Sequence, residues 1–168
     1  MDLQVIDNFL ESYYFNIIRD TLLYNNQFGW YWNEGVTYDD YEEEFSQFIH
    51  LFYDPDVEVN SQWLGIFEVM QSKLQVQEWR RIKANLNTRT IFKRFHGWHS
   101  DFPATQGYKA AKTAILYLNT NNGYTKFKKG GKVKCVENRL VIFNSHEYHS
   151  GVTCTDQKRK VVVNFNYL

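Results

Sequence analysis

The sequence predicts an α+β protein in which two helices in the N-terminal half brace a β-sandwich or jelly-roll barrel. Three observations carry this. Apolar residues recur at helical spacing twice in the first half of the chain. From Glu78 onward the period changes to two, and short alternating runs succeed one another to the C-terminus. Turn-forming pairs separate these runs: Asn122-Gly123, Gly130-Gly131, Glu137-Asn138 and Thr155-Asp156. Helices first and a run of short strands after them describe a layered fold built on one antiparallel core.

Val5-Ile6-Asp7-Asn8 reads as a short strand running into the first helix, whose apolar face comprises Leu10, Tyr13, Tyr14, Ile17, Ile18 and Leu22. Asn25-Asn26 ends that helix. From about Phe28 to Asn60 the pattern loosens into irregular structure with one or two short strands. Here lies the acidic run Asp39 to Glu44, either a solvated loop or a lid over a site. Ser61 caps a second helix carrying Trp63, Ile66, Phe67, Met70 and Leu74, an apolar stripe that belongs to the core. The strand Arg80 to Leu86 puts Ile82, Ala84 and Leu86 on one side. Further strands are expected at Phe92 to Phe95, Lys112 to Leu118, Thr125 to Phe127, Lys132 to Val136, Leu140 to Phe143 and Arg159 to Tyr167. With no repeat or low-complexity linker, residues 1–168 read as a single domain.

Composition narrows the function. The 168 residues carry 43% hydrophobic side chains and a formal net charge of zero, which argues against a protein whose main task is gripping a nucleic-acid backbone. The cluster Lys126, Lys128, Lys129, Lys132 and Lys134 is a local exception. It is a solvated hairpin, or a patch that steers an anionic substrate, nucleic acid included, to which Arg80, Arg81 and Lys83 add if the fold brings them near. Cys135 and Cys154 form no CxxC pair, the start of the chain lacks the basic flank and apolar run of a signal peptide, and no stretch approaches the ~20 apolar residues of a membrane span. A reducing, membrane-free setting is expected, hence the cytoplasm (of the host cell, if the chain is phage-encoded).

The chemistry concentrates in two places. In an extended segment residues i and i+2 share a side, so His99 and Asp101 of Gly97-Trp98-His99-Ser100-Asp101 can reach one metal ion. About fifty residues later His149 follows the apolar run Leu140 to Phe143. Two histidines and one carboxylate on one face of an octahedron form the ligand set of non-haem iron(II) oxygenases. The neighbouring His146-Glu147-Tyr148-His149 is not a zinc-protease motif, because its histidines are three apart rather than four and follow a strand. His146 reads as a loop residue or an alternative ligand, His96 as a strand residue or a partner of a ligand, and His50 as structural.

Beyond the triad, the chain resembles the iron(II)/2-oxoglutarate-dependent oxygenases, in particular their small prolyl-hydroxylase-like branch in phages and microbes. The matching text is Gly97 to Asp101, Thr113-Ala114-Ile115-Leu116-Tyr117-Leu118-Asn119, Asn138 to Phe143, His149-Ser150-Gly151, and Arg159 to Tyr167, with Val5 to Leu10 as the entry strand. The resemblance implies a double-stranded β-helix (jelly-roll, cupin-like), with iron(II) on His99, Asp101 and His149. It implies 2-oxoglutarate as cosubstrate, anchored by Arg159 and hydrogen-bonded by Tyr117. It also implies dioxygen, ascorbate as a reductant, and release of succinate and carbon dioxide. Lys160 is the rival anchor, because successive strand residues face opposite ways; the guanidinium fork favours Arg159. Val161 stands where the family has a small hydroxyl residue. A peptide or protein side chain is the substrate the resemblance suggests, with a nucleobase or small metabolite as the alternative. A non-catalytic metal-binding barrel is the competing class.

Overall fold

In the computed structural model, which describes residues 2–35, 46–102 and 108–168, two antiparallel sheets face each other and helices cover the outer side of the larger one. The elements run β1 (Gln4–Ile6), α1 (Ser12–Tyr24), β2 (Tyr31–Asn33), β3 (Gln47–Asp54), β4 (Val59–Asn60), α2 (Glu68–Lys73), β5 (Trp79–Thr88), β6 (Lys112–Tyr117), β7 (Tyr124–Phe127), β8 (Gly131–Lys134), β9 (Leu140–Asn144), β10 (His149–Val152) and β11 (Arg159–Tyr167). The larger sheet has the order β1-β9-β6-β11-β5-β3-β2, with β4 paired to β3, and the smaller has the order β10-β7-β8. Mixed helix and antiparallel strand in a jelly-roll arrangement is the expected class.

Strand β11 is central. Its run of β-branched residues suits a strand buried on both faces, and it pairs with β5 on one side and β6 on the other. Val161, Val163 and Phe165 point to the helices, where they join Phe15, Ile18, Leu22, Phe67 and Met70 in the main core. Phe165 is fully buried between Phe67 and Trp79, a position where truncation to alanine costs about 3–5 kcal/mol. The opposite face of the sheet packs Ile115, Tyr117, Val141, Phe143 and Val162 against Phe127, Val133 and Cys135 of the smaller sheet. A third tie closes the N-terminus. Asn138, in the left-handed region at φ 57°, accepts from Leu10 N at 3.0 Å and donates to Leu10 O at 2.7 Å. Asn tolerates that conformation better than most residues, so the β8–β9 turn can clamp the chain ahead of α1.

Several expectations need correction. In α1 the buried residues are Phe15, Ile18, Leu22 and Leu23, whereas Tyr13, Tyr14 and Ile17 are exposed. The second helix starts as a 3₁₀ turn, Leu64–Phe67, before α2; Ser61 Oγ accepts from Trp63 N at 3.3 Å ahead of it, but the residue at the cap is Trp63, which makes no side-chain capping bond. Phe92 to Phe95 forms no strand beyond an isolated bridge of Phe95 to Val152. The loosely patterned region before Asn60 contains the eight-residue β3, paired to β5. The acidic run 39–44 lies outside the described residues.

Candidate metal centre

His99 and His149 are brought together by backbone pairing. They form an isolated antiparallel bridge in which each N–H donates to the other's carbonyl, at 3.1 and 2.9 Å. Residues paired this way have side chains on the same face, and the two imidazoles lie 4.5 Å apart between centroids. Asp101 is two residues along on the same side, with its own N–H bonded to Ser145 O at 3.0 Å. The ligand-bearing atoms of His99, Asp101 and His149 lie within 4.8 Å of one another, and no other such group occurs among the described residues.

Each donor is presented in the form a cation needs. His149 Nδ1 donates to Glu147 O at 3.0 Å, which fixes the tautomer and leaves the Nε2 lone pair free, 4.0 Å from Asp101 Oδ2. His99 Nδ1 is buried without a hydrogen-bond partner. Burial, followed by the neighbouring His149, pushes the His99 imidazole down to about 4, against the pull of Asp101, so the ring is neutral at pH 7. Burial alone would raise the Asp101 carboxyl. Its neighbours His149, Arg81 and His99 and the Thr113 hydrogen bond outweigh it and hold the carboxyl well below the usual carboxylate range. Asp101 accepts from Thr113 Oγ1 at 2.6 Å, Asn166 Nδ2 at 3.1 Å and Arg81 at 3.3 Å. An ionised carboxylate offers about four lone-pair sites, so these donors orient it and still leave room for an ion. The residues present therefore fit a divalent metal with mixed N/O ligands.

From the triad a cavity of 160 Å³ runs inward between the sheets. Its wall on β5 and β11 is polar except for Val162: Arg81, Lys83, Asn85, Asn87, Lys160 and Asn164 all line it. Lys160 is 3% exposed, and its Nζ donates to Val152 O at 2.9 Å and Tyr124 O at 3.2 Å, leaving a third N–H. Burial pushes its ammonium down, with the Cys135 and Cys154 thiols pulling the other way. Lys83 faces the same cavity, lowered to about 8 by burial and by Arg81. Arg159 does not reach the cavity. It lies on the opposite face of β11, donates to Leu23 O at 2.6 Å and stacks over Tyr24. Tyr117 is one residue removed: its buried hydroxyl donates to Thr125 Oγ1 at 2.7 Å, and Thr125 lines the cavity.

His146 stands outside the metal-ligating group, and His96 is buried beside the cavity. His50 is held by Gly29 O at 2.7 Å and Ser61 Oγ at 2.9 Å against Phe28, a structural role. Both cysteines are free and buried. Arg81 and Lys83 do not extend the lysine hairpin, because the period-two alternation that sends Ile82 and Ala84 to the helices turns them into the cavity. That alternation was the signal for them, and also for Asn166 beside Asp101.

Comparison with solved structures follows the same lines. A Pseudomonas putida prolyl-4-hydroxylase superposes with TM-score 0.62 at 16% identity, over 98% of this chain and 91% of that one. A viral collagen prolyl hydroxylase from Paramecium bursaria Chlorella virus-1, solved with 2-oxoglutarate, gives 0.62 at 13%, over 99% and 96%. A Burkholderia pseudomallei oxidoreductase of the 2OG-Fe(II) oxygenase family gives 0.64 at 9%, over 98% and 84%. The chain shares their fold. In sequence, no protein-family model and no curated protein matches it. No helix among the described residues is long and apolar enough to cross a membrane. Within this fold the triad lies where the bridge between the His99–Asp101 segment and β10 meets the larger sheet.

Proposed function

We propose that the chain, as a single domain over residues 1–168, is an iron(II)- and 2-oxoglutarate-dependent dioxygenase that hydroxylates a C–H bond. The observation that carries this reading is the buried His99–Asp101–His149 group at one end of a cavity whose wall holds the ammoniums of Lys160 and Lys83. A cation site and a dianion site in one enclosed space suit a metal and a dicarboxylate bound together. Iron(II), when bound, would supply the redox chemistry by which the substrate C–H, dioxygen and 2-oxoglutarate are converted to hydroxylated product, succinate and carbon dioxide.

The protein's part is binding and orientation. His99, Asp101 and His149 hold the ion, and Thr113, Asn166 and Arg81 fix Asp101. Lys160 takes the distal carboxylate of 2-oxoglutarate with its remaining N–H, helped by the Thr125 hydroxyl, whose oxygen already accepts from Tyr117 and whose proton is thereby available. This moves the anchor from Arg159 to Lys160. A peptide or protein side chain is the substrate favoured by the likeness to prolyl hydroxylases, with ascorbate as reductant. The buried free thiols suit a reducing cytoplasm.

The test is succinate release with iron(II), ascorbate and 2-oxoglutarate, alongside calorimetric titration with manganese(II). His99→Ala, Asp101→Ala and His149→Ala each abolish turnover and weaken metal binding in a folded protein, whereas His146→Ala retains substantial activity. Metal binding unchanged in all three triad variants would refute the assignment.

A further inference from the structure

The outer face of the smaller sheet carries a concentration of positive charge that the metal centre does not use. Residues 119–136 contain five lysines and no acid, and residues 88–100 contain Arg89, Lys93 and Arg94 and no acid, in a chain whose charges sum to zero. The fold brings these two stretches together. The register Tyr124↔Lys134 and Lys126↔Lys132 puts those four side chains on the outer face, opposite Thr125 and Phe127. The Phe95↔Val152 bridge adds the second stretch at the other edge, beyond β10.

Aromatic rings are interleaved with the lysines. Lys126 Nζ lies 5.8 and 5.7 Å from the Phe95 and Trp98 rings, which pack edge-to-face 4.9 Å apart. Lys93 and Lys132 flank Tyr124 at 5.3 and 5.0 Å, and Lys128 lies 5.1 Å from Tyr148. Among the described residues none of Lys93, Lys126, Lys128, Lys132 and Lys134 makes a salt bridge to a carboxylate. Exposed Phe92 and Tyr148 extend the apolar part of the surface, and Tyr148 also lines the cavity that holds the triad.

We infer that this face binds single-stranded nucleic acid. Ammoniums spaced along a sheet follow a phosphate backbone, and rings between them offer stacking platforms that any base can use. A duplex hides its bases from such platforms and an acidic peptide has none, so single strands fit the combined charge and aromatic pattern better than either. Because Trp98 and Tyr148 adjoin the ligands His99 and His149 in sequence, a strand lying on this face is held next to the mouth of the cavity. The inference concerns where the protein is held and stands independently of which bond it oxidises.

Fluorescence anisotropy of the full chain with labelled oligo(dT) tests it, against a duplex of equal length and poly-glutamate. Oligo(dT) binds most tightly, and the slope of log K against log salt loses about 0.7 for each lysine removed. Lys132→Glu weakens binding about tenfold or more, while the charge-matched Lys73→Glu on α2 leaves it within about twofold. Tyr124→Ala weakens it about fivefold or more at a salt concentration that screens the lysines, as lost stacking requires. Succinate release by Lys132→Glu stays at the wild-type level, which separates this surface from the metal centre. Absence of oligo(dT) binding at low salt, equal binding of poly-glutamate, or equal losses in Lys132→Glu and Lys73→Glu would overturn the inference.

Discussion

Replacing Lys160 by methionine keeps most of the stem that fills the space beside Gly123 and removes the ammonium from the cavity. In the folded protein that ammonium already satisfies Val152 O and Tyr124 O, and its third N–H is the one available to a ligand. Loss of a charge-assisted contact of this kind in a desolvated site costs about 2–5 kcal/mol. At 1.4 kcal/mol per tenfold, the dissociation constant of 2-oxoglutarate rises by about thirtyfold at the least and by a few thousandfold at the most. Arg159→Ala behaves differently. It removes a hydrogen bond to Leu23 O on the helix side, worth ~1 kcal/mol of stability, and leaves 2-oxoglutarate affinity within about twofold. Calorimetric titration of both variants with 2-oxoglutarate, each loaded with manganese(II), separates affinity from turnover, and a thermal melt of each reports the cost to folding. A large loss of affinity in Arg159→Ala with none in Lys160→Met would refute the assignment and the strand parity behind it.

Three further outcomes follow from particular contacts. Thr113→Val deletes the 2.6 Å hydrogen bond that orients Asp101, and metal affinity measured by competition with a chelator falls about 10–100-fold, the usual effect of losing such a support. Gly123→Ala places a Cβ 2.8 Å from Val152 O and 3.2 Å from the Lys160 side chain; backbone must shift there, so the melting temperature falls and 2-oxoglutarate binds more weakly. Burial pushes the His50 imidazole below its ordinary value, despite the bond to Gly29 O. The unfolded chain then takes up the proton first as pH falls, so stability held above about pH 6.5 is lost through the window down to the folded value. The melting temperature of the wild type therefore drops between neutral and mildly acidic pH by more than that of His50→Gln, and parallel curves would show that His50 does not contribute.

The fold was legible wherever a strand or helix divides cleanly into a wet and a dry side, and obscured where aromatic residues occupy both. Strand β11 is found at Arg159–Tyr167, the predicted range, because its β-branched run leaves no alternative. In β3, Phe48, Leu51, Phe52 and Tyr53 surround His50 without regular alternation, since both faces of that strand are at least half covered, so no period appears. Tyr13 and Tyr14 misled in the other direction. A tyrosine counted as apolar sits equally well at the edge of a core with its hydroxyl in water, and the residues that meet the sheet are Phe15, Ile18 and Leu22.

The candidate metal group His99, Asp101 and His149 was legible because the chemistry demands rare residue types at a spacing that an extended backbone converts into proximity. The proposed anchor was harder, because residue preference and strand parity disagreed. The guanidinium fork favours Arg159 as a carboxylate ligand, but its strand mates Val161, Val163 and Phe165 form an unbroken apolar row, and such a row has only the helix-packed core to face. Asn166 could not be buried in that core without partners, since an unpaired buried amide costs about 1–3 kcal/mol. Asn166 finds Arg81, Thr113 and Asp101 on the other side of the sheet. Those contacts fix the parity of the whole strand, and Lys160, six residues before Asn166, is carried into the cavity with it. In a strand covered on both faces, the amides that need partners mark the functional side more reliably than the side chain best suited to the ligand.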